Sequence, residues 1–138
     1  MKYKTSELTS ALLDAGVAKA LGWPRYPDAM SLGWLKNGIL MPCYEWEPSS
    51  NWADGGPIIE RERISILSDN GTGWIAAMPE HRLGEFGTWT NSSPGTTALE
   101  AAMREFVFAK IGAEVDLCGL TFELTGPLWW AGIWARLL

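Results

Sequence analysis

In Thr97-Ala98-Leu99-Glu100-Ala101-Ala102-Met103-Arg104-Glu105-Phe106-Val107-Phe108-Ala109-Lys110-Ile111-Gly112, apolar side chains recur at Leu99, Ala102, Met103, Phe106, Val107 and Ile111. Three- and four-residue spacing of this kind puts them on one face of a helix. Thr97-Ala98-Leu99-Glu100 is a capping-box pattern, in which two side chains satisfy backbone donors at the helix start, and Gly112 supplies the stop. A second periodic stretch lies near the beginning of the chain. Leu8, Ala11, Leu12, Ala15, Ala18 and Leu21 predict a helix capped by Thr5 or Ser6 and ended by Gly22 and Trp23-Pro24. Gly16, in its middle, predicts a close neighbour at that point.

Between the two helices the pattern changes to short apolar runs and turn residues. Asn37-Gly38 between Leu32-Gly33-Trp34-Leu35 and Ile39-Leu40-Met41 predicts a tight hairpin, with Pro42 keeping the second arm at a sheet edge. Tyr44-Glu45-Trp46-Glu47 alternates, which in a strand sets two aromatics on one face and two glutamates on the other. Ile58 to Leu67 reads as a strand, Asp69 to Gly73 as a turn, and Trp74 to Met78 as the returning strand. Residues 79–96 read as a long polar loop carrying His81 and Trp89, and Val115 to Leu124 as a last strand. Helix, several strands, helix, strand makes a single α+β domain: a small, mainly antiparallel sheet with two helices packed on one face.

The chain has 138 residues, enough for one domain with a core of its own. At 47% apolar and 20% charged residues, it is neither a disordered tail nor a coiled coil. A net charge of −5 argues against broad electrostatic capture of extended nucleic acid. One histidine and two distant cysteines offer no zinc-site spacing, so no metal and no cofactor is expected. Cys43 and Cys118 read as reduced, buried small hydrophobes. The N-terminus lacks the apolar core of a signal peptide. The apolar run Gly126 to Leu138 is shorter than the roughly 20 residues that span a bilayer. A cytoplasmic protein without a membrane partner follows as the expectation.

Nine tryptophans are the unusual entry in the composition. Indole suits core packing, interfaces and base stacking alike. No nucleophile elbow or phosphate-binding glycine loop accompanies them. The most distinctive segment is Ser49 to Ile59, in which Gly55-Gly56 frees the backbone and Pro57 fixes the entry to the expected strand. It is either a shaped strand-entry loop with Trp52 as a core plug or the wall of a pocket. In the second case Trp52 is a stacking platform and Asn51 and Asp54 are polar readers. Glu60-Arg61-Glu62-Arg63, read as strand, places its glutamates and arginines on opposite faces, either as a solvated surface or with an arginine turned to an anion.

Three stretches resemble the phage NinX-like family: Asn51 to Glu62, Trp74-Ile75-Ala76-Ala77, and Ala101 to Val115. The opening Lys4-Thr5-Ser6-Glu7-Leu8-Thr9 and Val17-Ala18-Lys19 match it too, so the resemblance runs over about residues 2–116. Ala98 and Glu105 stand where the family usually has proline and cysteine. The Trp-rich residues 117–138 fall outside its pattern, as an atypical C-terminal extension. The resemblance implies a phage or prophage accessory protein in the cytoplasm of the infected or lysogenic host, and brings no catalytic residues with it.

The leading functional expectation is a non-catalytic protein that captures a small nucleotide-like ligand, with Asn51, Trp52, Asp54, Arg61, Trp74 and Arg104 as ligand-binding residues. Such a protein could act as an anti-defence sponge. The first alternative is a protein–protein inhibitor of a host defence or DNA-metabolism enzyme. The second is a nucleotide-acting enzyme with Glu60 or Glu62 as acid or base. A homo-oligomer formed through the Trp-rich C-terminal segment completes the expectations.

Overall fold

The computed structural model of the protein describes residues 2–25, 33–69, 71–81 and 93–117. In chain order these form strand β1 (Lys2–Lys4), a 3-10 turn (Thr5–Glu7), helix α1 (Ser10–Ala20), and strands β2 (Gly33–Lys36) and β3 (Ile39–Pro42). A second 3-10 turn (Cys43–Glu45), helix α2 (Trp52–Glu62), and strands β4 (Ser65–Asp69) and β5 (Gly73–Ala77) follow. A third 3-10 turn (Pro79–His81), strand β6 (Ser93–Gly95), helix α3 (Ala98–Lys110) and strand β7 (Glu114–Asp116) close the sequence of elements. The architecture is α+β. Strand pairing is antiparallel throughout the described residues, in three small sheets: β1 with β7, β2 with β3, and β4-β5-β6.

Helix α3 is the centre of the packing. Its cap is the one the sequence announces, with the Thr97 hydroxyl accepting from the Glu100 N–H at 3.0 Å. The Glu100 carboxylate reaches one residue further back than the reciprocal pattern and accepts the Thr96 N–H at 3.1 Å. Leu99, Ala102, Met103, Phe106 and Val107 are buried as expected, but so are Ala101, Arg104 and Glu105. The sheet β4-β5-β6 covers α3 on one side, and α1 and α2 also pack against it. Its contact with β6 is close: a Cβ on Gly95 would lie 2.4 Å from the Ala101 nitrogen. Polar residues on this helix therefore need partners inside the fold. Glu105, fully buried, accepts the Met78 N–H at 2.8 Å.

Helix α1 begins at Ser10 with Thr9 as its cap residue, later than the sequence suggests. Thr5 is buried instead between β1 and the turn that joins α3 to β7. Its hydroxyl donates to the Gly112 carbonyl at 2.6 Å and its N–H to the Ala113 carbonyl at 2.9 Å. Ala15 and Ala18 are buried as predicted, Ala11 is exposed, and Leu13 and Val17 are also fully buried. Each such aliphatic side chain contributes about 1.5–3 kcal/mol. Gly16 has the expected close neighbours, because a Cβ there would meet Leu8 at 3.3 Å and Val107 at 3.5 Å.

The main correction falls on residues 52–62, which form a helix rather than a loop leading into a strand. Asn51 caps it, its side-chain oxygen accepting the Ala53 N–H at 3.0 Å. Asp54, three residues on, accepts the Glu47 N–H at 3.0 Å and ties the preceding segment to the first turn. Gly55 sits where a Cβ would be 2.4 Å from the Pro48 carbonyl oxygen and 2.7 Å from Leu99, so close packing, not a turn, requires glycine there. The helix ends at Arg63 in the left-handed conformation (φ 56°). Ile64 N–H bonds to the Ile59 carbonyl and Arg63 N–H to the Glu60 carbonyl, the paired closure usual at helix ends. The alternation Glu60-Arg61-Glu62-Arg63 is accordingly helical, and the strand starts only at Ser65.

The hairpins agree with the sequence. Asn37 (φ 53°) and Gly38 (φ 81°) both take the left-handed conformation that a tight two-residue hairpin demands. Asp69 pairs with Gly73 across the β4–β5 turn. Tyr44 and Trp46 do not share a face: the 3-10 turn at Cys43–Glu45 breaks the alternation, leaving Tyr44 75% exposed and Trp46 3%. The stretch 79–96, read as loop, holds a 3-10 turn at Pro79–His81 and strand β6 at Ser93–Gly95, which pairs with β5; its residues 82–92 with Trp89, and the Trp-rich C-terminal segment with Cys118, lie outside the described residues.

Candidate functional site

The Asp54, Pro57, Ile58 and Arg61 side of α2 faces a cavity of about 870 Å³. The other walls are the end of α1 with Trp23, the β2–β3 turn with Lys36, and Phe106 and Lys110 of α3. Asp54 and Arg61 are seven residues apart, two helical turns, which brings both to the same wall. Trp23 and Trp46 meet at its edge with ring centroids 4.5 Å apart and planes tilted by 52°. The Lys36 ammonium stands over both rings, 5.6 Å from one centroid and 5.9 Å from the other, in the range of cation–π attraction.

Charge is concentrated here. Among the described residues Lys36, Arg61 and Lys110 line the cavity together with Asp54 and Glu62, an excess of one positive charge on a chain of net charge −5. Glu62 holds two of the cations, Arg61 at 3.4 Å and Lys110 at 3.5 Å. The Arg61 side chain is 60% exposed, so these pairs are water-screened and readily exchanged.

Of the residues expected from sequence to bind a ligand, Asp54 and Arg61 line this cavity. Asn51 and Trp52 sit at the start of α2 outside its lining. Trp52 is 57% exposed, with its ring near Gly56 of its own helix. It is not a core plug. Trp52→Ala should therefore cost less than about 1 kcal/mol in chemical denaturation, against about 3–5 kcal/mol for a buried tryptophan. Trp74, on β5 opposite Ser68 and Gly95, is 38% exposed and away from the cavity. Arg104 is 9% exposed, donating from Nε to the Leu8 carbonyl and from Nη1 to the Pro94 carbonyl, each at 2.9 Å. It is neither solvated nor in the cavity.

Trp23, Trp46, Lys36 and Lys110 escape the sequence reading because four separate elements supply them. The nearest signal was the pair of aromatics beside turn residues, Trp23-Pro24 and Tyr44-Glu45-Trp46. Trp46 also walls a second cavity, of about 540 Å³, on the side of Asp14. Burial pushes the Asp14 carboxyl up to about 6, with the like charges of Glu47 and Asp54 adding to the effect and hydrogen bonds from Ser49 opposing it. Burial also raises the thiol of half-buried Cys43, which leaves it a poor nucleophile. Among the described residues no helix is long and apolar enough to cross a membrane.

The family model for bacteriophage P22 NinX matches residues 4–110. The chain belongs to the phage NinX family. It is thus a phage accessory protein, as the resemblance implied. No curated protein matches it in sequence. The NinX match runs from the last residue of β1 to the last residue of α3. Every residue named above as lining the larger cavity lies within that NinX span, whereas β7 and the rest of the chain lie beyond it.

Proposed function

We propose that this NinX-family protein is a non-catalytic binding protein whose larger cavity captures a small nucleotide-like anion. The observation that supports the reading is the convergence of Lys36, Arg61 and Lys110 beside the Trp23–Trp46 pair, in a chain that is otherwise acidic. Arg61 offers a planar fork that matches phosphate, and Lys110 adds a second charge. Lys36 moves from the indoles to the phosphate and uncovers Trp23 for the base. Stacking adds about 1–3 kcal/mol per base and a charge-assisted hydrogen bond about 1.5–3 kcal/mol. The protein then works in the host cytoplasm as a sponge for a nucleotide signal, by stoichiometric sequestration.

Native mass spectrometry after incubation with small-molecule extract from phage-challenged cells, with the compound released by heating, tests this directly. An intact, stoichiometric added mass is the expected result, and an altered compound would make the protein an enzyme. Titration calorimetry with ADP supplies the residue-level check. Arg61→Ala should weaken binding at least about tenfold, equivalent to about 1.4 kcal/mol, and leave the melting temperature unchanged because the side chain is exposed. Equal ADP affinity in the variant and the parent would remove this cavity from consideration.

One observation favours a protein target instead. Ile39 (73%), Tyr44 (75%) and Trp52 (57%) are large apolar side chains left in solvent, and aromatic residues of this kind anchor protein interfaces. Loss of a host-protein complex on Tyr44→Ala, with no nucleotide bound by the parent, would establish that reading.

A further inference from the structure

We propose that the second cavity binds a small organic cation, an amidinium or guanidinium group carried on a flat apolar body. The cavity of about 540 Å³ lies between the start of α1, Trp34 of β2, the segment Cys43–Ser50 and the start of α3. Its volume is in the range of small-molecule sites. Trp34 and Trp46 form walls, and Tyr44 stands exposed beside them. Among the described residues three carboxylates line it, Asp14, Glu47 and Glu100, and no lysine or arginine does.

The three carboxylates are not equivalent. Glu100 is held by Arg104 at 3.1 Å and by Thr96. Asp14 is 7% exposed; its Oδ1 accepts the Ser49 N–H at 2.8 Å, and its backbone carbonyl accepts the Trp46 indole N–H at 3.1 Å. The charges that act on its carboxyl, Glu47 and Asp54, are both negative. A carboxyl group is therefore kept nine-tenths buried and hydrogen-bonded, with no counter-charge among the described residues, at the wall of an aromatic cavity. Such a group destabilises the free protein when ionised, and a bound cation supplies what the fold omits. The planar fork of an amidinium matches a carboxylate, while indole faces attract its charge and the apolar body fills the remaining space.

Benzamidine and its neutral isostere benzamide are the probes, titrated by calorimetry into the parent protein and Asp14→Asn at about pH 8 and about pH 5. Benzamidine should bind the parent at about pH 8 and at least about tenfold more weakly at about pH 5, where a group with a pKa of about 6 is protonated while benzamidine stays charged. Benzamide should not bind. Asp14→Asn should lose the benzamidine affinity at both pH values while still melting cooperatively and keeping its affinity for ADP. Should the variant not fold, the pH profile of the parent and the amidine–amide comparison still decide. Equal binding of the two probes, binding independent of pH, an unaffected Asp14→Asn, or no benzamidine binding at millimolar concentration would overturn the proposal. Because the probes report on a cavity other than the one lined by Arg61, failure here is distinguishable from failure of the nucleotide reading.

Discussion

Asp14→Asn is expected to stabilise the protein by about 2 kcal/mol at pH values above about 7, and to leave it unchanged below about pH 4. The sign follows from the proton balance. Asp14 has a folded pKa of about 6 against an ordinary value of 3.8, so between these two values the folded state binds a proton that the unfolded chain has released. Stability contributed by this group is complete below pH 3.8 and lost as pH rises through about 6. The full displacement corresponds to about 3 kcal/mol, and water reaching the carboxyl through the cavity reduces that to about 2. Asparagine is neutral at every pH and keeps the oxygen that accepts the Ser49 N–H. Urea denaturation of the pair from about pH 3 to about pH 8 should therefore give a stability difference that grows from near zero through a midpoint at about pH 5. A difference independent of pH would show that Asp14 is not held protonated by its surroundings.

The elements that were legible in the sequence are those whose local signal and tertiary role agree. Asn37-Gly38 is one: both residues adopt positive φ and the hairpin follows. Thr97 to Gly112 is another, although its apolar stripe understates how much of the helix is covered. Helix α2 shows the opposite case. Gly55-Gly56-Pro57 breaks helices on average, and here it is tolerated because Gly55 admits the Pro48 carbonyl and Leu99 to the helix surface. Asn51-Trp52-Ala53-Asp54 did carry the start signal, a capping residue with an acid three positions on. The glycines and proline that follow it point locally the other way. Strand β1 was invisible because three residues, Lys2–Lys4, are a strand only through pairing with Glu114–Asp116, about 110 residues further along the chain. The site was half legible for the same reason: Asp54 and Arg61 share one helix, but Lys36, Trp23, Trp46 and Lys110 meet them only after folding.

Arg104→Ala is expected to destabilise the protein by about 3–5 kcal/mol, the usual cost of removing one partner from a buried, hydrogen-bonded charge pair. The guanidinium joins three parts of the fold: the Leu8 carbonyl ahead of α1, the Pro94 carbonyl of β6, and Glu100 one turn earlier on α3 at 3.1 Å. Leu8 is 1% exposed, so its carbonyl has no ready access to water once the donor is gone. Each lost charge-assisted bond accounts for about 1.5–3 kcal/mol. Glu100 retains its bonds from Thr96 but loses the cation that offsets its charge. Arg104→Lys separates geometry from charge. An ammonium keeps the ion pair but cannot present a planar fork to two carbonyls, so it should recover only part of the stability. Thermal melts should place Arg104→Ala about 10 °C or more below the parent, with Arg104→Lys between them. Loss of ligand binding in Arg104→Ala would then reflect loss of the fold, whereas Arg61→Ala should lose ligand at full stability. A melting temperature within about 2 °C of the parent would mean that the joint between α1, β6 and α3 does not depend on this side chain, and would return Arg104 to the candidates for ligand contact.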